Sequence, residues 1–264
     1  MVLERLISSK DAIKQPTWMF VIGGIVSVIS LFVAYFVFQT SIGIFTSLLV
    51  TVTLTPLVLN LLRYDEEKEE QEKDLDKMNF IQRILFHKEI LIAYTAFFAG
   101  MILVFSIIYL LLPEATSQKI FADQINEINT IRGKFLFTDT LFNIIKNNIS
   151  VLILSFLFSF VFGAGAIFIL SWNASVLSTA IGMIAKPYGV VGLPIGIGTY
   201  AIHGSLEILA YFIAAIAGGL VSAAIMRRQN GKFWIVLKDS LQLIAISAVI
   251  LVIAGLIETL LYTA

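Results

Sequence analysis

The sequence predicts an all-α fold: a polytopic membrane helical bundle of six to seven spans, one of them broken, with additional amphipathic interfacial helices. Of its 264 residues, 58% are hydrophobic and 14% are charged, whereas soluble domains are about 45–50% apolar and about 25% charged. The mean hydropathy is +0.93. The apolar residues form continuous runs of about 20, the length that a helix needs to cross a bilayer. These runs lack the alternation that marks barrel strands.

The composition also limits the partners and the chemistry. The formal net charge is zero, so the chain lacks the basic surplus typical of nucleic-acid binding. No cysteine is present, which excludes disulfides, thiolate metal sites and cysteine nucleophiles. The lipid bilayer is therefore the first predicted partner, with no nucleic acid and no cofactor.

The N-terminal part predicts a surface helix followed by two spans. Residues 2–15 place apolar side chains at helical spacing, which indicates a helix on the membrane surface. The first span is expected at 18–38, uncleaved because no small-residue cleavage site follows it. The second span, 42–62, returns after a short connection, and Pro56 predicts a kink within it.

Two polar segments separate these spans from the rest. Within the charge run 63–79, the acidic run 65–76 is interpreted as a solvated cytoplasmic helix, with a docking site as the alternative. Residues 80–88 are amphipathic and are expected to lie in the interface. A third span, 90–112, leads to a second polar segment, 113–146, with another surface helix. These shifts in composition divide the chain into an N-terminal unit, 1–89, and a C-terminal core membrane domain, 90–264.

The C-terminal half predicts three more apolar segments and one interrupted segment. Spans are expected at 149–171, 203–226 and 239–262. The stretch 174–202 favours two half-helices, because its prolines and glycines are incompatible with one uniform helix; the predicted hinge residues are Pro187, Gly189, Pro194, Gly196 and Gly198. If this stretch crosses once, most lysines and arginines lie on the side of a cytoplasmic N-terminus. If it is re-entrant, they divide evenly, so a single crossing is favoured.

The span 203–226 carries the candidate site. His203 and Glu207 are one helical turn apart, and ionisable groups inside a membrane are costly and mark functional candidates. The same face continues with small residues, a pattern typical of close helix packing; this packing seam comprises Gly204, Ala210, Ala214, Gly218 and Ser222. The pair is either a polar lock or a site for a proton, an ion or a substrate. No metal site is predicted, because catalytic zinc usually has three protein ligands.

Three further polar residues are candidates for the same network. Asn148 and Asn173 flank the fourth predicted span and are interpreted as helix caps or as members of a buried polar network. Glu258, in the last span, could join His203 and Glu207 if the helix order allowed it.

The region 147–226 resembles the stage II sporulation protein M family of membrane proteins. The resemblance lies in an asparagine that opens the fourth span, the Gly163/Gly165 end, Asn173, and His203-Gly204-x-x-Glu207 leading to Gly218. The family typically has proline before that histidine, where this chain has Ile202. The opening of the chain looks like the archaeal branch, which adds two N-terminal spans.

The resemblance implies an integral membrane protein without catalysis of its own. In spore-forming bacteria the family member is a scaffold for cell-wall hydrolases, and an archaeal-like relative would serve another client. We therefore expect a multi-pass scaffold or assembly protein of the cell membrane, not an enzyme, that forms a homo-oligomer (dimer) or binds a membrane protein client. The alternative is a transporter or channel that uses the broken segment and the His203/Glu207 pair.

Overall fold

The computed structural model describes residues 15–72, 77–135, 140–226 and 233–263. Within these ranges every regular element is a helix, which confirms the all-α class. The predicted surface helix at 2–15 lies, apart from its last residue, outside the described residues. The helices in chain order are α1 (Pro16–Val37), α2 (Ile42–Gln71), α3 (Phe80–Phe86), α4 (Lys88–Leu111), α5 (Glu114–Ile120), α6 (Ala122–Phe135), α7 (Thr140–Phe162), α8 (Ala166–Ala185), a 3₁₀ helix (Lys186–Val191), α9 (Gly192–Met226) and α10 (Phe233–Thr263).

Six helical stretches in the described part of the chain are long and apolar enough to span a bilayer. Five are single helices: α1, α2, α4, α7 and α10. The sixth, Ala166–Met226, has 61 residues and contains both α8 and α9. Because about 20 residues suffice for one crossing, this stretch is long enough for two, one in α8 and one in α9.

The stretch folds back on itself at the 3₁₀ helix. Gly189 has a φ of 64°, a left-handed conformation that glycine adopts without steric cost. After it, the start of α9 runs antiparallel beside the end of α8, since a Cβ added at Gly196 would lie 2.7 Å from the carbonyl oxygen of Ile181. The break therefore lies at the turn between two helices, and Pro194 lies within regular helix.

The predicted boundary between the fourth and fifth apolar segments is wrong. Helix α7 ends at Phe162, and α8 begins at Ala166, inside the expected span 149–171. The chain reverses at Gly163, whose φ of 68° is again left-handed, and Ser159 donates a hydrogen bond of 2.6 Å to its carbonyl oxygen. Continuous hydrophobicity across this turn conceals it from a hydropathy profile.

Helix α9 lies at the centre of the bundle. Each of its residues from Ala210 to Ala224 is buried, and a helix that is apolar on all sides is expected to be enclosed by others. It contacts α7 and α10 most extensively. A Cβ added at Gly218 would lie 2.3 Å from the carbonyl oxygen of Phe156 on α7, so only glycine permits this approach.

Glycines also fix the contact between α1 and α4. A Cβ added at Gly23 would lie 2.1 Å from the carbonyl oxygen of Phe97, and one added at Gly100 would lie 2.0 Å from that of Phe20. Such close backbone approach is the usual means of association in membranes, where burial of apolar surface supplies no driving force between helices.

A buried charge cluster joins three helices at the end of the bundle that holds α3, hereafter the inner end. The Nδ1 of His87 lies 2.5 Å from Asp65 of α2, and its Nε2 lies 3.1 Å from Asp239 of α10. Arg83 forms an ion pair with Asp239, and all four side chains are at most 4% exposed. Both ring nitrogens of His87 therefore face carboxylate oxygens, one from α2 and one from α10.

This cluster corrects the expectation of a solvated acidic helix after the second span. Helix α2 continues through the start of the acidic run, and Asp65, Glu66 and Glu69 are each at most 1% exposed. The charge run is thus partly a buried packing surface. Arg83 points inward from α3, whereas Ile81 is 65% exposed, in agreement with an interfacial position for 80–88.

The opposite, outer end is closed by α5 and α6. Lys186 donates hydrogen bonds to the carbonyl oxygen of Leu112 (3.0 Å) and to the hydroxyl of Ser117 (2.6 Å), and it pairs with Glu114 at 3.2 Å. Hydrogen bonds from Gln118 and then from Lys186 lower the pKa of the exposed Glu114 carboxyl. Asp123 of α6 accepts the backbone N–H of Gly43, and Gln124 donates to Ser175, which holds α6 across α2 and α8.

Candidate functional site

A cavity of about 160 Å³ lies among α7, α8, α9 and α10, on the outer-end side of the bundle. Helix α6 contributes Ile128 and Ile131 to its wall, so this surface helix forms part of the enclosure. The polar lining comes from all four membrane helices. The residues are Asn147 and Asn148 (α7), Asn173 (α8), His203 and Glu207 (α9) and Glu258 (α10).

Glu207 is the centre of the polar network. Its carboxylate accepts a hydrogen bond of 2.5 Å from the amide nitrogen of Asn148. The carboxyl group of Glu258 lies within hydrogen-bonding reach of Glu207. Both glutamates are partly exposed to the cavity. The site therefore brings two carboxyl groups from different helices, α9 and α10, to one position in the cavity wall.

His203 has a different role from the expected partner of Glu207. The two residues lie on one face of α9, but no hydrogen bond joins them within the described structure; Glu207 bonds to other helices instead. The imidazole is 6% exposed and contacts the ring of Tyr200. Its Nδ1 has no hydrogen-bond partner. A buried polar atom without a partner is uncommon and calls for an explanation.

The structure places the predicted seam below this cavity. Gly204 lines the cavity itself, whereas Gly218 lies at the contact with α7. The other three residues of the packing seam are buried inside the chain: Ala210 (0% exposed), Ala214 (0%) and Ser222 (6%).

The other predicted site residues divide between the cavity and the turn. Asn148 and Asn173 both line the cavity, and Asn173 also donates to the carbonyl oxygen of Ile169 at 2.8 Å. The predicted hinge residues lie at the outer end: Pro187 and Gly189 in the 3₁₀ helix, and Pro194, Gly196 and Gly198 in the first turns of α9. Glu207 is about four helical turns from the start of α9, so the break in the chain is not beside the carboxylates.

Sequence reasoning missed two groups of residues. Tyr200 and Tyr211 line the cavity, and they lie one turn before and one turn after the His203/Glu207 pair, a spacing that could have pointed to them. The charge cluster at the inner end also escaped notice. The four-residue spacing of Arg83 and His87 places both on one helix face, which was the available signal.

The fold and the cavity define a class: a polytopic α-helical membrane protein with a polar site lined by its transmembrane helices. The family model described as stage II sporulation protein M matches residues 112–261, more than half of the chain. The chain therefore belongs to the stage II sporulation protein M family. No curated protein and no solved structure matches it.

Proposed function

We propose that this protein is a multi-pass scaffold or assembly protein of the cell membrane, without catalytic activity of its own. The observation that carries the proposal is the enclosed α9. Below the cavity its residues Ala210–Ala224 are buried without interruption, and the backbone contact at Gly218 closes the inner half of the bundle against α7. Such packing supports a fixed framework better than a pathway that opens and closes.

The charge cluster at the inner end supports the same proposal. His87 links α2 to α10 through two carboxylates, and removing one partner of a buried ion pair costs about 3–5 kcal/mol. The framework is therefore fastened at its inner end by charges and in its interior by close helix contacts. In this proposal the inner end and the N-terminus are cytoplasmic, and the partner is a second copy of the chain or a membrane protein client.

Cysteine crosslinking in native membranes tests the scaffold proposal. The natural chain has no cysteine, so a single introduced thiol reports one position. Phe32→Cys and Phe36→Cys lie on the free face of α1, where the native side chains are 63% and 68% exposed. A scaffold should give a defined intermolecular product at one of these positions, whereas Ile216→Cys, at a site 1% exposed, should give none. Recovery of neither a self-contact nor a client contradicts the proposal.

A transporter or channel is the second candidate, and the cavity beside Glu207 favours it. Intramembrane carboxylates are common in ion and proton pathways. In proteoliposomes, Glu207→Gln should abolish ion or proton flux while leaving the thermal unfolding unchanged, and Glu67→Gln, at an exposed carboxylate, should preserve both. If Glu207→Gln lowers folding and flux equally, the carboxylate is a structural lock. If the wild-type protein shows no flux, transport is excluded.

A further inference from the structure

The cavity around Glu207 has more polar capacity than its own contacts use. Glu207 takes one hydrogen bond from Asn148 and shares another with Glu258. The imidazole of His203 lines the same cavity, and its buried Nδ1 has no hydrogen-bond partner. That nitrogen is closed off from the cavity by its surroundings, so the acceptors that a ligand in the cavity would meet are the carboxyl oxygens of Glu207 and Glu258.

The carboxyl groups of the site favour a ligand that carries a single positive charge. Glu207 and Glu258 bring two carboxyl groups to the same wall, and neighbouring carboxylates repel each other when both are ionised. Among the described residues the lining contains neither lysine nor arginine, so no described side chain of the wall balances the negative charge of these carboxyl groups. An unpaired charge inside a protein is costly, and a monovalent cation removes this cost. An anion would be repelled.

The ligand set argues against a metal ion. Within the described part of the chain, no three histidine or acidic side chains are grouped closely enough to hold one. Metal cations in proteins generally need several converging ligands: four around zinc and six or more oxygens around calcium. An ammonium group donates three hydrogen bonds, and the carboxyl oxygens of two neighbouring side chains, Glu207 and Glu258, are enough acceptors for it.

The size and the apolar wall favour an organic cation. An apolar cavity of about 150 Å³ holds a molecule as large as benzene, and this cavity measures about 160 Å³. Ile144, Leu177 and Ile208 form apolar parts of the wall, and the rings of Tyr200 and Tyr211 lie beside them. Aromatic rings attract organic cations through their negative faces.

We infer that the cavity formed by Glu207, Glu258, Asn148 and His203 binds a primary ammonium group that carries a short apolar segment. Such a group could belong to a free amine or to the headgroup of an aminophospholipid. The inference rests on the cavity alone and holds for either proposed function, because a ligand can stabilise a scaffold or be carried by a transporter.

Binding of ethylammonium to the full-length protein in nanodiscs tests this inference, with ethanol as the neutral probe of similar size. In phosphatidylcholine nanodiscs, ligand-observed NMR should show saturable binding of ethylammonium and none of ethanol. Glu207→Gln and Glu258→Gln should each weaken binding by about tenfold or more, the effect of losing a charged hydrogen-bond acceptor. Glu67→Gln should bind as the wild type does.

A second arm distinguishes the sources of the ammonium group. If the natural ligand is a lipid headgroup, phosphatidylethanolamine nanodiscs should weaken the apparent affinity for ethylammonium. If it is a free amine, the two lipids should give equal affinities. If one of the two glutamine variants fails to fold, the other variant and the comparison of ethylammonium with ethanol still test whether the cavity binds an ammonium group. Absence of saturable binding to the wild type, equal binding of ethanol, or wild-type affinity in folded Glu207→Gln and Glu258→Gln would overturn the inference.

Discussion

Replacing Gly218 by alanine should destabilise the bundle, although alanine is the better helix former. The added Cβ would lie 2.3 Å from the carbonyl oxygen of Phe156, 2.9 Å from the backbone nitrogen of Phe160 and 3.0 Å from the Cβ of Ser159. The first contact is about 1 Å shorter than a normal van der Waals separation. Because that atom belongs to the backbone of α7, no rotamer change can relieve the clash, and the two helices must separate.

The expected magnitude combines two opposing effects. Overpacking in a close-packed interior costs about 1–3 kcal/mol, and a backbone contact belongs at the upper end of that range. Alanine recovers up to about 1 kcal/mol of intrinsic helix propensity relative to glycine. We therefore expect Gly218→Ala to lower the free energy of unfolding by about 2 kcal/mol, measured by thermal or denaturant unfolding in one fixed detergent or nanodisc.

The same helix offers matched controls for this prediction. A Cβ added at Gly198 has no atom within 4 Å, and one added at Gly204 has its nearest neighbour, the Cβ of Tyr200, at 3.6 Å. Both alanine variants should be as stable as the wild type or more stable by up to about 1 kcal/mol. If Gly218→Ala has the same free energy of unfolding as Gly198→Ala, the close contact between α7 and α9 does not exist in the membrane. The packing seam would then not hold these two helices together.

Three other perturbations follow from the polar contacts. Arg83→Ala removes the arginine partner of Asp239 and leaves only His87 beside that buried carboxylate, so it should cost about 3–5 kcal/mol of unfolding free energy; an unchanged unfolding midpoint would show that water reaches the cluster. Asn148→Ala removes the amide donor from Glu207 and should cost about 1.5–3 kcal/mol, whereas a neutral effect in the same unfolding assay would mean that solvent replaces it. The pKa of Glu114 is lowered in the folded state. Its ionised carboxylate therefore stabilises the folded state above the unfolded-state pKa of about 4.3, and this stabilisation is lost as the pH falls below that value. Glu114→Gln should remove this acid-dependent part of thermal stability, and an identical pH profile would contradict the assignment.

Much of the fold was predictable because lipid imposes a length and a composition on each crossing. The first three predicted spans agree with α1, the apolar part of α2 and α4 to within a few residues. Hydropathy predicted the helix boundaries less accurately where two helices follow one another without a polar connection. The turn at Gly163 and the turn at Gly189 both lie within apolar sequence, so hydropathy alone could not separate α7, α8 and α9.

The candidate site was predictable only in part. The sequence showed that Glu207 is an ionisable residue within an apolar span, one helical turn from His203. It also indicated that Asn148 and Asn173 are candidates for a buried polar network. The actual partners of Glu207 come from α7 and α10, because the lateral order of helices decides which faces meet. His203 was expected to bond to Glu207, one turn away, but interhelical contacts determine the geometry of both residues.

The sequence by itself determined that the chain is a polytopic membrane protein, where most helices cross, and which family it belongs to. These properties depend on the length of each apolar run and on the local order of residues, and both are visible in the linear sequence. Tertiary structure decided which polar groups meet: Asn148, Glu207 and Glu258 around one cavity, and Asp65, His87 and Asp239 at the inner end. The physical reason is that glycine contacts and buried charges set the order and rotation of the helices, and those contacts join residues that are far apart in the chain.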